Sequence, residues 1–154
     1  MDLKDGFSLE ERLKFVRERF RAGLVIKLFC DFTTPPKFKW LLMVATHSER
    51  PLFFIINTEP TEFARHNARL RDQHKPIMKQ SNPFLEHDSF IDCSTAHDNF
   101  DLNEIEEALA LDTSLILGTI CPETAALILE SIADSPTLSR VHINQIGMEI
   151  SQLI

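Results

Sequence analysis

Two apolar runs, Trp40-Leu41-Leu42-Met43-Val44 and Leu52-Phe53-Phe54-Ile55-Ile56, decide the fold of this chain. Each run is short and lies next to turn-forming residues, which is typical of β-strands. Because nearly every position is apolar, both faces of these strands should be covered, as in a small closed barrel or in a sheet flanked by helices. The connection at residues 47–51 is short, and a short connection favours antiparallel neighbours.

Four further segments of the chain have the pattern of strands. A β-rich apolar run precedes the two just described, and a turn at residues 33–36 separates it from them. The first of these strands is predicted at residues 24–32 and the last at residues 114–120. Of the other two, one is predicted near residues 76–79 and one within residues 84–93. Residues 58–72 are polar and predict a loop or a short helix.

Capping residues predict where the helices begin. Ser8 and Glu11 form an S-x-x-E capping box before an apolar stripe flanked by basic residues, and Gly23 supplies the stop. Asp101 and Glu104 repeat this capping pattern and predict a helix through residue 109. Pro122 suits the first position of a helix that ends near residue 134, and a last helix is predicted within residues 135–147.

The length and composition are those of one ordinary α+β domain. The 154 residues are 44% hydrophobic and 25% charged, which excludes a disordered or low-complexity chain. We predict one domain over residues 1–154: an N-terminal basic helix at 1–22, a small antiparallel barrel at 23–120 and C-terminal helices at 121–154. No run of eighteen apolar residues exists, so no membrane association is expected. The charged N-terminus does not resemble a secretory signal, and the expected location is cytoplasmic.

Charge is strongly segregated along the chain. Residues 1–85 contain fifteen of the sixteen lysines and arginines against ten acidic residues, a net charge of +5. Residues 86–154 contain thirteen acidic residues against Arg140 alone, a net charge of −12. The basic half could bind a polyanion, or it could simply be a set of solvated faces. The acidic half could attract a basic partner.

Several classes of chemistry lack their sequence signals. The four glycines are isolated, so no phosphate-binding glycine loop is present, and no cofactor is expected. Three widely spaced cysteines fit reduced thiols better than a disulfide framework. Cys93 and His97 are four residues apart and could both bind zinc if they shared a helical face, but no C-x-x-C pair accompanies them. If Cys93 lies on a strand instead, Asp92 points to the opposite face, and the polar side chains near Cys93 do not converge on one site.

The basic half contains the residue types that metal-independent RNA cleavage needs. In that reaction a 2′-hydroxyl attacks the adjacent phosphate, so a cation and groups that position or transfer protons are required. Suitable types in this region are Lys37, Lys39, His47, Thr58, Arg65, His66, Arg69 and Arg71. The alternative interpretation is a set of solvated loop charges and a turn threonine.

The order of segments resembles that of the PemK/MazF-like toxins over residues 23–134. Residues 23–32 resemble the opening strand of that family, residues 37–44 occupy the place of its Lys-Arg-Pro strand, and residues 55–58 resemble the strand that ends in a threonine. Residues 88–93, 115–120 and 122–132 are similar to its serine-led strand, its late glycine-containing strand and its following helix. The family's catalytic arginine falls at Lys39, which keeps the charge but lacks the bidentate guanidinium, and the next proline falls at Trp40.

This resemblance implies an SH3-like barrel that forms a homodimer, cleaves single-stranded RNA without a metal and is neutralised by an antitoxin in a bacterium. On it, Lys39 would stabilise phosphate charge and Thr58 would position the reacting group. The RNA backbone would be held by Lys37, Arg65, Arg69, Arg71 and Lys75. Two alternatives stay open: a catalytically silent barrel that binds a protein partner through its acidic half or an apolar edge, and a metal enzyme centred on Cys93 and His97.

Overall fold

The computed structural model describes residues 6–154. Residues 1–5 lie outside this range, and with them the charged N-terminal start and the first part of the predicted segment 1–22. The helices are α1 (Leu9–Arg19), α2 (Glu62–Arg65), α3 (Ala68–Arg71), α4 (Leu102–Leu111), α5 (Pro122–Ala133) and α6 (Arg140–Ile150). The strands are β1 (Leu24–Cys30), β2 (Lys37–Ala45), β3 (Leu52–Asn57), β4 (His74–Ile77), β5 (Ser89–His97) and β6 (Ile116–Thr119).

The predicted capping boxes form as the sequence indicates. Ser8 Oγ accepts from the Glu11 amide at 3.2 Å, and Glu11 Oε1 accepts from the Ser8 amide at 3.1 Å. Asp101 and Glu104 exchange the same two bonds, at 2.8 and 3.3 Å, before α4. Both pairs satisfy amides that an α-helix leaves without partners in its first turn, so the starts of α1 and α4 are defined locally.

The strands form one antiparallel sheet in the order β4-β5-β3-β2-β1-β6, which curls into half a barrel. Neighbouring pairs include Leu28 with Lys39 between β1 and β2, and Trp40 with Ile56 between β2 and β3. The α+β class and the antiparallel arrangement are thus confirmed. Strands β4 and β6 are the two edges of the sheet.

Each face of the sheet is covered by a different pair of helices. On the face that we call the α1/α4 face, Leu41 and Phe53 pack in one buried cluster with Val16 and Leu109. On the opposite α5/α6 face, the neighbouring strand positions pack with Ile128 and Ile146. Side chains on both faces of β2 and β3 are therefore buried and apolar, which explains the two uninterrupted apolar runs.

Several predicted boundaries differ from the structure. Residues 113–115 form a 3₁₀ helix, so β6 begins at Ile116 and not at residue 114, and β1 ends at Cys30 and not at residue 32. Strand β5 continues to His97 instead of ending at Cys93, because its last residues pair with Phe53 of β3 across a register shift. Strand β4 begins at His74, two residues before the predicted start, since His74 pairs with Asp92. Helix α6 begins at Arg140 rather than near residue 135, after an N-cap at Ser139.

The described part of the chain also bears on membrane and thiol chemistry. Within residues 6–154, every helix is too short or too polar to cross a bilayer. All three cysteines are free, and Cys30 and Cys93 are buried. Burial raises the pKa of Cys30 to about 11 and that of Cys93 to about 12. These two thiols are therefore protonated and weakly nucleophilic at neutral pH.

Candidate functional site

An open cavity of about 560 Å³ lies on the sheet where β2 begins and β3 ends. Alternation places Lys39 and Asn57 on the same face as Leu41 and Ile55, which is the α1/α4 face. The loops after β1 and β3 complete the cavity wall. They and the strands supply five threonines to its lining, Thr33, Thr34, Thr58, Thr61 and Thr95.

Lys39 is a cation that no carboxylate neutralises. Its Nζ donates a hydrogen bond of 2.6 Å to Asn57 Oδ1, and an amide carries no charge. Within residues 6–154, neither Lys39 nor Lys37 forms an ion pair with a carboxylate. Burial lowers the pKa of Lys39, and the nearby positive charge of Lys37 lowers it further. An anion in the cavity would relieve this repulsion.

The two acidic residues of the cavity are engaged by other groups. Glu59 forms an ion pair with Arg65. Asp92 Oδ1 accepts hydrogen bonds from the amide and the hydroxyl of Ser94, at 2.9 and 2.5 Å. The other oxygen of Asp92 lies 3.7 Å from His74 Nε2. Most of the hydrogen-bonding capacity of these carboxylates is thus directed away from the two lysines.

His97 lines the same cavity and packs against two aromatic rings. Its imidazole stacks on Phe53, with ring centroids 5.4 Å apart, and on Phe32, with centroids 5.7 Å apart. Burial lowers the pKa of His97 below its ordinary value of 6.5, although Asp92 and Asp98 partly oppose this shift. The imidazole is therefore neutral at pH 7 and able to accept a proton.

The structure brings three of the predicted site residues together and separates the others. Lys37, Lys39 and Thr58 all line the cavity. Arg65 lies at its edge through its ion pair with Glu59. Arg71 lies beside Arg65, since its Nη1 donates to the Arg65 carbonyl at 3.4 Å.

Arg69 and Lys75 lie outside this cavity. They line a separate cavity of about 320 Å³ next to α5, together with the acidic residues Asp72, Glu130 and Asp134. Arg69 also donates to the carbonyl of Pro136 at 2.9 Å. The basic residues of the 58–79 region thus do not form one continuous track, since Arg65 and Arg71 lie near the first cavity whereas Arg69 and Lys75 line the second.

Sequence reasoning missed His97, Asn57 and Asp92 as parts of this site. Alternation did place Asp92 opposite Cys93, and the structure agrees: Cys93 packs on the α5/α6 face while Asp92 lines the cavity. His97 is also on the cavity side, so it and Cys93 do not share a face. Among residues 6–154, no three histidine, cysteine or acidic side chains are grouped to hold a metal ion. Alternation along the strand could not predict the position of His97, because that position depends on a register shift between β3 and β5.

Comparisons with protein-family models, curated proteins and solved structures find no match to this chain. The function must therefore be argued from the site itself.

Proposed function

We propose that this cavity binds the backbone of single-stranded RNA and cleaves it without a metal ion. The observation that carries the proposal is the convergence of Lys37, Lys39 and Thr58 with a neutral His97 in one open cavity. Neither lysine has a carboxylate partner among the described residues, and a phosphate would supply the missing negative charge. The threonine hydroxyls can donate to its oxygens, and such contacts position a backbone without selecting a sequence.

The groups in the cavity suit attack by a ribose 2′-hydroxyl on the neighbouring phosphate. His97 would take the proton from the 2′-oxygen as the bond between that oxygen and phosphorus forms. The bond from phosphorus to the 5′-oxygen breaks, and that oxygen takes a proton from water. The hydroxide that remains takes the proton from His97, which returns the imidazole to its neutral form. Lys39 would stabilise the additional negative charge on the phosphoryl oxygens, and Thr58 would orient the phosphate. The products would be a 2′,3′-cyclic phosphate and a 5′-hydroxyl.

The resemblance to PemK/MazF-like toxins is the second support for this proposal. From this resemblance we also propose that the sheet is an SH3-like barrel, that the protein forms a homodimer and that an antitoxin inhibits it. Lys39 at the place of the family's arginine is compatible with charge stabilisation, because the reaction needs a cation even where the bidentate fork is lost. Binding should weaken as salt concentration rises, as expected when phosphates are contacted by lysines.

The test is cleavage of a mixed single-stranded RNA pool in EDTA. Lys39→Ala, Thr58→Ala and His97→Gln should each abolish discrete cuts while remaining folded by circular dichroism. Lys14→Ala is the matched control, because Lys14 is an exposed lysine on α1, outside the cavity, and its loss should leave cutting unchanged. No cutting by folded wild-type protein would refute the nuclease proposal. Cutting that depends equally on Lys14 would refute the assigned site.

A further inference from the structure

Strand β6 forms an edge of the sheet that is open for pairing. In the sheet of the described residues it pairs with β1 on one side, and it is the last strand on the other. The Ile120 amide donates to the Gly23 carbonyl at 3.0 Å, toward β1. Backbone groups alternate in direction along a strand, so those of the neighbouring Thr119 point away from β1. An additional strand could bond to this edge.

A groove of about 480 Å³ follows this edge and has apolar walls from both faces of the sheet. Phe15 and Ile116 contribute from the α1/α4 face, and Leu117 and Leu153 contribute from the α5/α6 face. Side chains of an added strand would alternate between the two faces, and each set would meet an apolar wall. The groove therefore has the form of a site for an extended peptide rather than for a compact ligand.

Two arginines give the groove a positive charge. Arg19 and Arg21 both line it. The Arg19 guanidinium lies over the Phe15 ring, 3.5 Å from its centroid, and donates to the Phe15 carbonyl at 3.1 Å. Arg21 donates to the Glu18 carbonyl at 2.8 Å. The exposed Glu18 carboxylate lies 4.0 Å from Arg19 Nη1, but a guanidinium has five N–H donors, so each arginine keeps donors for a further carboxylate.

We propose that the β6 edge binds an extended acidic segment of a partner protein, which adds to the sheet as a further strand. The backbone of that segment would pair with β6, its apolar side chains would contact Phe15 and Leu153, and its carboxylates would bind Arg19 and Arg21. A second copy of this chain fits less well, because pairing two β6 edges would bring four arginines together. The groove at β6 is separate from the cavity proposed for RNA, which is lined by residues of β2, β3 and β5.

The probe is a fluorescein-labelled peptide of repeating Val-Val-Glu-Glu units, which presents valine and glutamate on both faces of a strand, with a peptide of repeating Val-Val-Lys-Lys units as its charge-reversed control. Fluorescence anisotropy should show binding of the acidic peptide only. The double variant Arg19→Glu and Arg21→Glu should weaken this binding by about tenfold or more and favour the basic peptide instead. Arg140→Glu reverses an exposed arginine on α6, away from the groove, and should have no effect.

A second variant tests the strand pairing itself. Thr119→Pro removes an outward amide and should abolish peptide binding, while the hydrogen bond from Ile120 to Gly23 is retained. Amide hydrogen exchange should show protection of β6 on addition of the acidic peptide. Unchanged binding in either variant, or protection at β4 instead of β6, would overturn the proposal. Self-association that is lost in Thr119→Pro would identify a second copy as the occupant and would overturn it as well.

Discussion

Replacing Gly118 with alanine should destabilise the protein, although alanine is normally the better residue in a strand. An alanine Cβ at this position would lie 2.6 Å from Cγ and 3.0 Å from Cβ of Phe84. Because Phe84 Cβ is itself too close, rotation of the ring alone cannot relieve the contact. Phe84 is half-buried against the core on the α5/α6 face, so its displacement disturbs packing there.

The expected loss follows from two opposing effects. Overpacking of this kind costs about 1–3 kcal/mol. The reduced flexibility of the unfolded chain offsets about 0.4–1 kcal/mol of that cost. The midpoints of these two ranges give a net loss of about 1.3 kcal/mol, which corresponds to a decrease of about 3–5 °C in Tm for a protein of this length.

Thermal and urea unfolding of four proteins would test this reasoning: wild type, Gly118→Ala, Phe84→Ala and the double variant. In the Phe84→Ala background the ring contacts are absent and only the 3.0 Å contact with Cβ remains, so Gly118→Ala should cost much less than in the wild-type background. Gly147→Ala is the control, since its Cβ would have no neighbour within 4 Å and it lies in α6. That variant should gain about 0.5–1 kcal/mol. A neutral or stabilising Gly118→Ala in the wild-type background would refute the explanation.

Three further outcomes are expected. Glu149→Ala should lose about 3 kcal/mol, because the Thr46 amide and hydroxyl, which donate to Glu149 Oε1 at 2.8 and 3.1 Å, would be left buried without an acceptor. Arg17→Ala should lose about 1–2 kcal/mol by leaving the buried Glu106 carboxylate without its ion pair, and much less in a Glu106→Gln background. Stability should fall as pH drops below 6.5, because burial lowers the pKa of His97 and the unfolded state then binds the proton better.

Each of these outcomes has its own control. Glu149→Gln keeps an acceptor for Thr46, so its loss in urea unfolding should be smaller than that of Glu149→Ala. For Arg17, equal losses in both backgrounds would show that the ion pair does not account for the effect. For pH, the slope between the lowered pKa of His97 and 6.5 should decrease in His97→Gln and persist in His66→Gln, which removes an exposed histidine. An unchanged slope in His97→Gln would contradict the role of burial.

Local chemistry was sufficient to predict much of the fold. The capping boxes at Ser8 and Asp101 act within one helical turn, so neighbouring residues alone determine where α1 and α4 begin. The apolar runs of β2 and β3 indicated strands covered on both faces, and both faces are covered. The boundary of β5 was not predictable in this way. Ser94 and Thr95 resemble turn residues, and they lie within a strand because the residues on either side of them, Asp92 and His97, pair with β3.

The residue types available for binding an anion could be read from the sequence, and so could the position of Lys37, Lys39 and Thr58 at the ends of adjacent strands. Antiparallel pairing necessarily brings such positions together. Only the tertiary structure decided that His97 joins them, since a register shift between distant strands controls where its side chain lies. It also separated Arg69 and Lys75 from the cavity and placed Arg19 and Arg21 beside the β6 edge. These relations depend on how elements far apart in sequence pack, and no local pattern encodes that packing.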